Sequence, residues 1–156
     1  MNSCDGCTLC CKLLEVKALN KPEGRDCEHC KDGGCAIYGQ PERPQMCKAY
    51  QCAWLWNSNW PPSLRPDRCG VVFEPVGKDK PEVFIGTVDP ERPTAWSEGA
   101  AAQAAERITR EGFGIVLRSG KDIIVLAPKW KSRDAVLHEY KIAMRKLWRS
   151  PRMHMT

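Results

Sequence analysis

Residues 70–88 read Gly70-Val71-Val72-Phe73-Glu74-Pro75-Val76-Gly77-Lys78-Asp79-Lys80-Pro81-Glu82-Val83-Phe84-Ile85-Gly86-Thr87-Val88. Two runs rich in β-branched and aromatic residues flank a Gly-Lys-Asp-Lys turn, which predicts a β-hairpin of strands over 70–76 and 82–88. Downstream, Ser97 is a good N-cap, and Ala101, Ala104, Ala105 and Ile108 form an apolar stripe at helical spacing. Gly112 marks that helix's end. Residues 113–117 and 122–127 form a second hairpin around Ser119-Gly120-Lys121. A last helix spans about 132–149, with Val136, Leu137, Tyr140, Met144, Leu147 and Trp148 on its apolar face. This half therefore reads ββα-ββα, and four antiparallel strands covered on one face by two helices are expected. Residues 153–156 read as a frayed tail.

Upstream of residue 70 the character changes. The chain has 156 residues, one domain's worth, and ten cysteines. Nine of them fall between Cys4 and Cys52, the tenth is Cys69, and residues 70–156 have none. Turn-forming pairs such as Gly33-Gly34, Gln40-Pro41, Arg43-Pro44 and Pro61-Pro62 punctuate this stretch, leaving one short helix expected over 44–55. A segment so poor in regular structure needs a cross-link. The N-terminus has no basic or apolar leader, and the longest apolar run, 123–127, is far below the roughly 20 residues of a membrane span. The expectation is a cytoplasmic protein with no membrane partner. In that compartment thiols stay reduced, so clustered cysteines read as metal ligands rather than disulfides.

The first cysteine element is Cys4-x2-Cys7-x2-Cys10-Cys11. Successive two-residue gaps let thiolates converge on one metal, and three in a row is the ferredoxin-type spacing of a [4Fe–4S] cluster. Zinc more often takes isolated C-x2-C pairs. In a locally extended chain the adjacent Cys10 and Cys11 would point in opposite directions, which argues for two centres or for one centre and a free thiol. The second element is Cys27-Glu28-His29-Cys30 with Cys35 after a Gly pair, and the third is Cys47-x4-Cys52. Eight thiols, Cys4, Cys7, Cys10, Cys11, Cys27, Cys35, Cys47 and Cys52, suffice for two four-coordinate sites. Cys30 and Cys69 read first as spare buried thiols, and His29 as an exposed loop histidine; all three are reserve ligands. The cofactor is an iron–sulfur cluster, favoured by the triple spacing, or zinc.

The order C-x2-C-x2-C-C, then C…C-x-I-Y…R-P-x2-C-x4-C, resembles the bacterial CxxCxxCC cysteine-cluster family, the YkgJ-like group described as zinc- or iron-chelating. The matching residues are Cys4, Cys7, Cys10, Cys11, Cys27, Cys35, Ile37, Tyr38, Arg43, Pro44, Cys47 and Cys52. The likeness is dense over the first third of the chain and continues thinly through residues 65–72. Cys30 stands where a leucine is common and Cys69 where a small residue is common. Flagellin lysine N-methylases carry a similar cluster, which the resemblance links to iron–sulfur chemistry.

The fold class that follows is α+β: an irregular, metal-stapled, cysteine-rich segment over 1–69 packed on a ββα-ββα antiparallel-sheet region over 70–156, together one compact domain. The function expected is metal or electron handling, or service as an accessory module. Two alternatives are an iron–sulfur-dependent protein-modifying enzyme of the methylase type and a zinc-stabilised interaction adaptor with a protein partner. No nucleophile–base pair, carboxylate dyad or cofactor loop supports catalysis, so the reading leans away from an enzyme. The formal charge of +5 is uneven: +1 over 1–69, −2 over 70–127 and +6 over 128–156. Two zinc sites of four thiolates would each carry −2, bringing the folded protein close to neutral. Lys129, Lys131, Arg133, Lys141, Arg145, Lys146, Arg149 and Arg152 read as the solvated side of an amphipathic helix, and nucleic acid is not the expected partner. Trp54, Trp56, Trp60, Tyr38 and Tyr50 read as an apolar shell around the metal site, and Arg43 either as a partner of the thiolate loops or as a surface charge.

Overall fold

The computed structural model describes residues 2–4, 6–77 and 80–148. The expected tail at 153–156, Arg149 and Arg152, and the tip of the first turn at Lys78 and Asp79 lie outside the described residues, as do the side chains of Leu147 and Trp148.

Short elements make up the cysteine-rich segment: α1 (Leu9–Leu13), β1 (Cys30–Lys31), β2 (Gly34–Cys35), α2 (Gln45–Ala49), α3 (Ala53–Trp56) and α4 (Pro66–Cys69). The C-terminal half contributes β3 (Val71–Val76), β4 (Val83–Val88), α5 (Gly99–Arg110), β5 (Gly114–Ser119), β6 (Asp122–Leu126) and α6 (Arg133–Trp148). The protein is thus α+β, and both hairpins and both long helices stand where the hydrophobic periodicity puts them. Among the described residues no helix is long and apolar enough to cross a membrane.

Three local expectations are corrected. The helix over 44–55 is two helices, because Tyr50 and Cys52 are extended and Cys52 becomes the N-cap of α3. Ser97 does not cap α5. Its hydroxyl donates to the carbonyl of Thr94, closing a 3-10 turn over Ala95–Ser97, and an extended Glu98 precedes the helix. Cys10 and Cys11 lie on a helical turn, not on extended chain. By contrast, Gly112 takes φ +100° just past α5, and the Ser132 hydroxyl accepts the amide of Ala135 at the start of α6.

The sheet corrects a larger expectation. Its order is β3-β4-β5-β6, and the two hairpins are antiparallel, but β4 and β5 run parallel, with Val83 opposite Gly114 and Thr87 opposite Arg118. The connection between them carries α5, a crossover that returns the chain to the end from which β4 began, so β5 must run in the same direction. Val83-Phe84-Ile85-Gly86 and Gly114-Ile115-Val116-Leu117 are buried without alternation, as central strands covered on both faces must be.

The two long helices therefore sit on opposite faces, not on one. Phe84, Val88, Ile115 and Leu117 pack with Ala101, Ala104, Ala105 and Ile108 of α5. Val76, Val83, Ile85 and Val116 pack with Val136 and Ala143 of α6. The α5 face also receives Leu9, Leu13, Trp54, Trp60 and Leu64, so the cysteine-rich segment shares its core with the sheet.

Gly114 lets α6 approach. A Cβ there would overlap both γ-methyls of Val136, a fully buried residue at the centre of that contact. Gly114→Ala is expected to lower stability by about 1–3 kcal/mol through overpacking. The check is urea unfolding followed by circular dichroism, and an unchanged midpoint would mean that α6 shifts freely.

Candidate metal centre

The site begins in the first turn of the chain. The amide of Cys7 donates to the carbonyl of Cys4 at 2.9 Å, closing the first two-residue gap. α1 follows at once, and neighbours on a helix project about 100° apart. Cys10 and Cys11 are therefore consecutive on one helical turn, not splayed to opposite sides of an extended chain.

The second element forms a small knuckle. The amide of Cys30 donates to the carbonyl of Cys27 at 2.9 Å, and β1 and β2 pair with Cys30 directly opposite Cys35. Asp32 and Gly33 make the connecting turn with φ of +50° and +76°, which Gly adopts freely. Cross-strand partners point to the same side of a hairpin, so Cys30 and Cys35 share a face. In the third element, the break between α2 and α3 separates Cys47 from Cys52. The Cys52 sulfur accepts from the backbone amides of Trp54 and Leu55.

Mutual electrostatics sorts the thiols into two groups. Cys4 feels Cys52, Cys7 and Cys11, and Cys10 feels Cys11, Cys4 and Cys52, so that Cys11 acts on both groups. Cys11 is hydrogen-bonded to Cys30, while Cys30 and Cys47 both feel Cys11, Cys27 and Cys35. One group is thus Cys4, Cys7, Cys10 and Cys52, and the other Cys11, Cys27, Cys30, Cys35 and Cys47. The hydrogen bond between Cys10 and Cys11 joins them.

Charge follows burial and these contacts. Burial pushes the Cys4 thiol up to about 11 and the Cys30 thiol up to about 12, each reinforced by neighbouring cysteines. The hydrogen bond to Cys11, then burial, raises Cys10. The same bond, helped by Cys30, Arg43 and Lys21, lowers Cys11 to about 6 against the effect of burial. Within the Cys10–Cys11 pair, Cys11 is the thiol that these contacts pull down.

The reserve candidates separate. Cys30 belongs to the cluster. Cys69 has its Sγ directed at the carbonyls of Leu64, Pro66 and Val71, and among the cysteines it feels Cys7. His29 is half-buried with Nε2 3.7 Å from Glu28. All ten cysteines are free thiols.

Residues around the thiols complete the picture. Arg43 acts on Cys4, Cys11 and Cys47, and its guanidinium lies 4.4 Å over the Tyr38 ring. Lys21 is buried, its Nζ donating to the carbonyls of Lys12, Leu14 and Pro22. In the sequence, Lys21-Pro22 carries only a turn signal. Asp67, paired with Arg65 at 2.7 Å, lends its amide and carboxyl to Cys7. The aromatic shell is partial: Trp54 and Trp60 are buried, whereas Trp56 and Tyr38 are exposed. The indole of Trp54 donates to the Ser3 carbonyl, and the Asn2 amide to the carbonyl of Trp54, tying the N-terminus to α3.

The fit to a metal is one of donor chemistry. Nine thiols, two nearby cations and buried hydrogen-bond donors suit a thiolate-preferring ion or cluster. Among the described residues, however, no group of three or more His, Cys, Asp or Glu side chains is arranged to hold a metal ion. Binding would require the thiols to draw inward. Of the basic residues toward the C-terminus, Lys131 pairs with Glu139 and Lys146 with Glu82. No protein-family description matches this chain, and neither a curated protein nor a solved structure matches it.

Proposed function

We propose that this is a thiolate metal-binding protein with two adjacent centres, one drawn from Cys4, Cys7, Cys10 and Cys52 and the other from Cys11, Cys27, Cys35 and Cys47 with Cys30 beside them. The groups to be held are an iron–sulfur cluster, which the triple C-x2 spacing favours, or zinc. The role is metal or electron handling, alone or as an accessory module. The observation that carries this reading is the gathering of nine cysteines within residues 4–52, with Cys10 and Cys11 adjacent on α1 and Cys30 paired opposite Cys35. Core packing alone gives no reason for nine cysteines to fall within residues 4–52 of a chain whose last 104 residues contain one. The motif resemblance to the CxxCxxCC family points the same way.

The test is metal and sulfide analysis with an absorption spectrum, on protein purified without oxygen. Iron with matching sulfide and a broad band in the blue identifies a cluster. About two zinc ions per chain and no visible band identify structural zinc. Protein that neither carries nor takes up either metal would overturn the reading. Cys69→Ala is the internal control: metal content should stay at the wild-type value while stability falls by about 1–2 kcal/mol from the lost buried sulfur. Loss of metal in that variant would return Cys69 to the ligand set.

A further inference from the structure

Among the described residues, two buried side-chain nitrogen or oxygen atoms have no hydrogen-bond partner, Arg43 Nε and Tyr50 Oη. Buried polar groups in folded proteins nearly always have partners, and an orphan calls for an explanation. Here both orphans flank the cysteines. Tyr50 stands two residues before Cys52, in the extended break between α2 and α3, and packs against the same core as Cys10 and Cys52. Arg43 stands four residues before Cys47, and its stacking on Tyr38 fixes the plane of the guanidinium.

We propose that Tyr50 and Arg43 become hydrogen-bond donors to cysteine sulfur when a metal draws the thiols together, Tyr50 serving the Cys4–Cys10–Cys52 group and Arg43 bridging the two groups. The proposal rests on the metal reading above. Thiolate sulfur accepts hydrogen bonds, and such donors orient the ligands and offset their charge. The surroundings agree. Tyr50 packs in one cluster with Cys10 and Cys52, and Glu74 and Cys4 are also near it. Glu74 leaves the hydroxyl unbonded and is itself raised by burial. Arg43 acts on Cys4 of one group and on Cys11 and Cys47 of the other, where a fixed cation offsets the most thiolate charge. Its planar fork also presents donors in several directions, which a lysine cannot reproduce.

The test uses the full reduced chain loaded with zinc, compared with Tyr50→Phe, Arg43→Lys and Arg43→Gln. The readouts are zinc per chain and the half-time of release to an excess of coloured chelator. Tyr50→Phe and Arg43→Gln are expected to release zinc about 10–100 times faster, with Arg43→Lys between them and wild type. Tyr50→Phe removes one hydroxyl and leaves the ring, so without zinc its melting temperature should equal or exceed that of wild type. A merely structural hydroxyl would instead lower it. Wild-type zinc content with release within about twofold in both Tyr50→Phe and Arg43→Gln overturns this proposal and leaves the metal reading standing. A wild-type chain that takes up no zinc or iron overturns both.

Discussion

Stripping the proposed metal with a strong chelator under reducing conditions is expected to unfold the first 69 residues and to lower the stability of the whole chain by at least about 5 kcal/mol. None of the elements in that segment can stand alone. Its α-helices have four or five residues, against the roughly 12–15 an isolated helix needs, and its strands have two. Structural zinc contributes about 10–16 kcal/mol to small thiolate sites, as much as the entire stability of an ordinary domain. The loss should not stop at residue 69. Leu9, Leu13, Trp54, Trp60 and Leu64 cover the same sheet face as α5, so their departure exposes Phe73, Phe84, Ile115 and Leu117. One cooperative transition is expected, with tryptophan emission shifting to the red as Trp54 and Trp60 reach water. Unchanged emission and melting after complete chelation would show that packing alone holds the segment.

The sheet strands and both long helices were legible because they obey short-range rules. Alternating or continuous β-branched runs, the Ala101–Ile108 stripe and the Gly112 stop are local signals. The strand directions were not, since ββα-ββα is compatible with antiparallel or parallel joining of the hairpins. The deciding feature was present in the unbroken apolar runs at 83–86 and 114–117, which require cover on both faces. For the site, spacing identified the eight motif thiols but not their neighbours. Lys21 is buried only because the carbonyls of Lys12, Leu14 and Pro22 converge on it, a tertiary arrangement with no sequence pattern. Cys30 and Cys69 were indistinguishable by sequence. A two-residue hairpin sets one opposite Cys35, and the turn around α4 aims the other at backbone carbonyls.

Phe73→Ala is expected to cost about 3–5 kcal/mol, the upper range for truncating a buried aromatic ring. Phe73 is 1% exposed and is the largest fully buried side chain among the described residues. Its ring meets Trp60 edge to face, with centroids 5.8 Å apart and planes at 78°. That contact joins β3 to the loop between α3 and α4, so the cavity would open where the cysteine-rich segment sits on the sheet. Phe84→Ala supplies the comparison. Phe84 makes a similar contact with Phe113, centroids 5.6 Å apart, within the C-terminal half. Both variants should unfold at lower urea with unchanged slope, by similar amounts. Only Phe73→Ala should also loosen the segment before global unfolding, seen as faster proteolysis within residues 1–69 and faster metal release. If the two variants behave alike in those assays, Phe73 is ordinary core, and Trp54 and Leu64 carry the junction between the thiol groups and the sheet.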